Sequence, residues 1–64
     1  MTLEQAILRQ QLQDLLSRER QAQETYAQLA AETADGAMKQ QLLELRHEKQ
    51  RHVRLTERLL EIVD

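Results

Sequence analysis

The chain has no cysteine, no proline, one glycine (Gly36) and one aromatic residue (Tyr26) among 64 residues. Each scarcity excludes something. Without cysteine there is no disulfide framework and no thiolate nucleophile, which is compatible with a reducing cytosol. A single glycine cannot build the usual phosphate-cradling loop, and Ser17 has no histidine on its own stripe to form a nucleophilic triad. No apolar run approaches the roughly 20 residues of a membrane-spanning helix, and the start lacks the basic end and apolar core of a signal peptide. A cytoplasmic protein with no membrane partner is therefore expected. The formal net charge of -2 supplies no global attraction to nucleic acid or anionic lipid.

What remains is helix-forming sequence. Ala, Gln, Glu, Leu and Arg dominate, all favourable formers. Thr2 is a candidate N-cap with Gln5 three residues on to complete a capping box, so a first helix is expected from about residue 3 to about 33. Ala34, Asp35 and Gly36 form the one turn signal, and a second helix is expected from about 37 to 62. Two helices of about 40 Å each, joined by so short a turn, make an antiparallel hairpin. Residues 1–64 thus read as one all-α unit.

The hydrophobic pattern carries an interruption. Leu8, Leu12, Leu15, Glu19, Ala22, Tyr26 and Leu29 follow steps of four and three, which place them on one stripe, apolar except at Glu19. Met38, Leu42, Leu45, Lys49, His52, Thr56, Leu59 and Val63 form a second stripe, polar at Lys49, His52 and Thr56. If the chain reverses near Asp35, residues whose numbers sum to about 70 face each other. Leu12 then meets Leu59, Leu15 meets Leu55, Leu29 meets Leu42, and Glu19 lies opposite His52 with Ala22 opposite Glu48 and Lys49. The polar residues gather in one band between apolar layers. Burying a carboxylate or imidazole without a partner costs several kcal/mol, so the band must satisfy itself or bind something.

Helix 2 is also apolar beside its central line, at Leu43, Leu55, Leu60 and Ile62, and helix 1 adds Ile7, Leu16, Ala27 and Ala30. Such wide faces suit four helices around a shared core, and a chain this short is marginal alone. The expected architecture is a hairpin that dimerises into a four-helix bundle, with a homo-oligomer, at least a dimer, as the working state.

The segment Glu19-Arg20-Gln21-Ala22-Gln23-Glu24-Thr25-Tyr26, a glutamate with an aromatic seven residues later, resembles the first-helix signature of rubrerythrins and related ferritin-like proteins. Glu48-Lys49-Gln50-Arg51-His52-Val53, followed by leucines, resembles the second-helix signature that ends in a ligand histidine. The separation of Glu19 and His52 is similar to that in encapsulated ferritins, single hairpins that complete their metal site by dimerising. The resemblance covers roughly residues 15 to 62. It implies a ferritin-like bundle holding iron or another divalent transition metal at the dimer interface, with Glu19 and His52 as ligands, Glu48 as a possible third, Tyr26 nearby, and oxidase activity towards dioxygen or peroxide. The family's Glu-x-x-His would put a carboxylate at position 49, where this chain has Lys49. Glu48, four residues before His52, shares its helix face. The other literal Glu-x-x-His, Glu44 to His47, falls away from the stripe.

Two other readings follow from the residues themselves. An ammonium at position 49 can pair with Glu19 and replace a metal's charge, leaving a metal-free structural or protein-interaction bundle whose polar layer fixes register. On the outer face, His47, Arg51, Arg54 and Arg58 form a basic stripe that could grip an RNA or DNA backbone. Nucleic acid is the less favoured partner, because Glu44, Glu57 and Glu61 border the stripe, Glu57 within reach of Arg54, and no aromatic is there to stack on bases.

Overall fold

The structure, a computed structural model, describes residues 1–63. Two helices make it up, α1 (Leu3–Glu32) and α2 (Gly36–Val63). They lie antiparallel in a hairpin measuring 50 × 14 × 10 Å across its Cα positions. No helix is long and apolar enough to cross a membrane.

The helix start is the one expected. The Gln5 backbone N–H donates to Thr2 Oγ1 at 3.1 Å, and the Thr2 N–H donates to Gln5 Oε1 at 2.9 Å, so the capping box is closed. The reversal lies one residue earlier than expected. α1 ends at Glu32, Thr33 turns extended while its N–H still donates to the Leu29 carbonyl, and Asp35 caps α2. The Asp35 carboxylate accepts the Met38 N–H at 3.1 Å. Its carbonyl accepts the Lys39 N–H at 2.9 Å. Gly36 is therefore the first residue of α2, and no described residue, Gly36 included, has a positive φ. The turn is made by a side-chain cap and not by glycine's conformational freedom.

The seam between the helices differs from the expected stripe. Leu12, Leu16, Glu19, Gln23, Tyr26 and Ala30 of α1 pack against Leu42, Arg46, Lys49, Val53, Thr56 and Leu60 of α2, and all twelve are buried or half-buried. Both sets step by three and four, the seven-residue repeat of a coiled-coil pair. The expected stripe contained two columns. Leu12, Glu19, Tyr26, Leu42, Lys49 and Thr56 do lie in the seam. Leu8, Leu15, Leu29, Met38, Leu45 and Leu59 do not, and are 37–52% exposed. Leu15 and Leu55 do come together, but on the flank, where both line one cavity, while Leu59 lies outside the seam in which Leu12 sits. Two helices cover only the line along which they touch, so a second apolar column stays on one flank. Among described residues only Leu16, Ala30, Val53 and Thr56 count as buried.

The two flanks differ in charge: one column pair is free of Asp, Glu, Lys and Arg, while the other carries an ion pair beside Ala27 and Leu43. In an antiparallel pair the columns beside the seam on each helix face the same side. One flank brings together Leu8, Leu15, Ala22 and Leu29 with Met38, Leu45, His52 and Leu59. The other carries Gln13, Arg20 and Ala27 with Leu43, Gln50 and Glu57, and Arg20 Nη2 stands 3.8 Å from Glu57 Oε2. Glu57 thus pairs across the helices, not with Arg54 of its own.

Candidate functional site

The polar band forms at the middle of the hairpin, where the seam repeat places Glu19 of α1 against Lys49 and Thr56 of α2, with His52 at the edge of the apolar flank. Lys49 Nζ lies 3.2 Å from Glu19 Oε2 and donates to Oε1 at 3.5 Å. His52 Nδ1 lies 3.3 Å from the same Oε2. An ionised carboxylate only accepts, so this contact is a hydrogen bond when the imidazole proton sits on Nδ1. One carboxylate thus takes both donors. The Thr56 hydroxyl, buried beneath, donates to the His52 carbonyl at 2.8 Å and needs no partner from outside its helix.

Burial separates these groups. The Glu19 side chain is 15% exposed and Lys49 26%, whereas His52 is 49% exposed. Desolvation is the largest single influence on the Glu19 carboxyl and pushes its pKa up. The hydrogen bonds from Lys49 and His52, with their charges, outweigh it, and the carboxyl is held below its ordinary value. Beside His52 a cavity of about 170 Å³ opens on the apolar flank, lined by Leu15, Glu19, His52, Leu55 and Thr56.

The remaining candidates stand apart. Glu48 is exposed, has no hydrogen bond or ion pair to Glu19 or His52, and lines a shallow depression with Gln40, Leu43, Glu44 and His47. Tyr26 is half-buried two turns along α1, about 10 Å from the Glu19 level at 1.5 Å per residue, and has no hydrogen bond to the layer. Glu44 and His47 are both exposed, as are Arg51, Arg54 and Arg58 of the basic stripe. The Arg20–Glu57 pair was hidden in the sequence by the wrong seam. Once the repeat is fixed, both fall on the same flank.

The metal centre that the resemblance implies asks for a particular set of donors. A di-metal carboxylate bundle draws one Glu from each of two helices and a Glu-x-x-His pair from each of the others. One hairpin here offers a single carboxylate and a single imidazole, and an ammonium sits against that carboxylate where a cation would bind. Among the described residues no three His, Asp or Glu side chains converge. One hairpin by itself does not supply the donor set of such a centre, which the resemblance places between two copies. No family model matches the chain, and no curated protein or solved structure matches it either.

Proposed function

We propose that this chain is a structural or protein-interaction module, a helical hairpin that assembles with a second copy into a four-helix bundle and uses its polar layer to fix register without a metal. The observation that carries this reading is the Lys49 ammonium, 3.2 Å from Glu19. It supplies inside the chain the positive charge that a metal brings to a carboxylate bundle. Polar groups in an otherwise apolar seam cost stability but penalise every alignment in which they meet leucines, and setting register is their best-attested use.

A second reading keeps the divalent metal, iron or a similar ion. It is favoured by the convergence of Glu19 and His52 from different helices to 3.3 Å. It requires two copies to pool their donors and Lys49 to swing out to solvent.

Thermal unfolding of the wild type and of a Glu19→Leu/Lys49→Leu/His52→Leu variant, each with ferrous ion and with chelator, separates the two. The module reading expects a wild-type melt indifferent to both additions and a variant at least as stable, by zero to about 4 kcal/mol, since apolar replacements of buried ion pairs are neutral or stabilising. A wild-type melting temperature that rises with ferrous ion, and does not in the variant, would overturn it in favour of the metal.

A further inference from the structure

We infer that the partner is a second copy of this chain seated on the apolar flank, while the flank carrying Arg20 and Glu57 stays in solvent. This rests on the module reading and adds to it the surface that is used. Leu8, Leu15 and Leu29 of α1 and Met38, Leu45 and Leu59 of α2 stand exposed on that side. The two columns contain no Asp, Glu, Lys or Arg. Across from them the opposite flank is closed by the Arg20–Glu57 pair.

Three arguments name a second copy as the occupant. The first is need: among the described residues only three apolar ones are buried within one hairpin, too few to hold together a chain of this size. The second is area. A face of 50 × 14 Å offers about 700 Å² per copy, close to the roughly 800 Å² per partner of a standard stable interface. The third is pattern. Along the flank the order is apolar, polar, apolar, with His52 and its cavity in the middle. Glu19 and Lys49 lie within two residues of the midpoints of α1 (Leu3–Glu32) and α2 (Gly36–Val63). A uniformly apolar partner would bury His52 against hydrocarbon, at the cost of an unpaired polar group. A second copy brings its own polar layer to the same level, whether the two turns lie at the same end or at opposite ends.

The absence of cysteine makes a clean test. Ala22 and Ala27 are both half-buried and lie on opposite flanks. In Ala22→Cys and Ala27→Cys chains, checked for parental helicity by circular dichroism, maleimide labelling is followed against protein concentration beside sedimentation of the same samples. The expected result is a dimer in which the thiol at position 22 reacts at least about tenfold more slowly than in dilute monomer, while the thiol at 27 is unaffected. A dimer in which position 22 labels as fast as in the monomer, or in which position 27 is the protected one, would overturn the choice of surface and leave the module reading standing. A chain that stays monomeric at every concentration would remove both.

Discussion

Glu19 is the residue on which the hairpin's polar chemistry turns. Its carboxylate accepts from Lys49 and lies within reach of His52, and it is held ionised below its ordinary range although burial alone would push the other way. A carboxyl whose pKa is lower folded than unfolded favours the folded state once the unfolded group has ionised, and that contribution disappears as pH falls through the depressed folded value. Stability is therefore expected to be flat in this group from neutral pH down to the ordinary carboxylate value of about 4.5 and to fall below it. Chemical denaturation between pH 7 and pH 2, compared with Glu19→Gln, reads this directly. The difference between the two proteins should shrink below pH 4.5, and a constant difference would mean that the pairing with Lys49 and His52 contributes nothing to folding.

At the scale of the elements, the turn gives the sharpest expectation. Asp35 caps α2 through its carboxylate and carbonyl, whereas Gly36 has helical handedness, and a Cβ built on it meets nothing within 4 Å. Asp35→Ala should cost about 1 kcal/mol through loss of the cap. Gly36→Ala should stabilise by about 0.4–1 kcal/mol by narrowing the unfolded ensemble. Urea unfolding of the two variants checks both signs, and a destabilising Gly36→Ala would mean the turn does need glycine. The same elements show what the sequence made legible. Caps are local, so Thr2 with Gln5 and the reversal near Asp35 were readable to within a residue. The polar layer was readable too, because Glu19, Lys49 and His52 interrupt otherwise apolar spacing. The seam was not. The apolar face is wider than one line of contact, and spacing alone does not say which column faces the other helix and which faces outward. Gln23 and Arg46 sit in the seam, half-buried, because long side chains can lay apolar stems along it while their heads reach water.

The whole molecule has too little interior for its length, and this governs how it should unfold. With Leu16, Ala30 and Val53 as the buried apolar residues among those described, one hairpin is marginal, and in the proposed assembly most of its stabilisation comes from surface that a second copy covers. Folding and association then become one equilibrium, in which a tenfold rise in concentration favours the folded dimer by about 1.4 kcal/mol. For an assembly of two such chains that corresponds to a melting temperature higher by roughly 3–6 °C. Position should matter as strongly as concentration. Leu59→Ala, on the apolar flank, should cost about 2 kcal/mol or more, as for a core leucine, although one hairpin leaves it 48% exposed. Leu3→Ala, at a site 78% exposed and off both columns, should stay within about 0.5 kcal/mol. Scanning calorimetry over two decades of concentration, on the parent and on both variants, checks these expectations. A melting temperature independent of concentration, with Leu59→Ala no more costly than Leu3→Ala, would mean that the hairpin stands alone and that its leucine flank is ordinary surface.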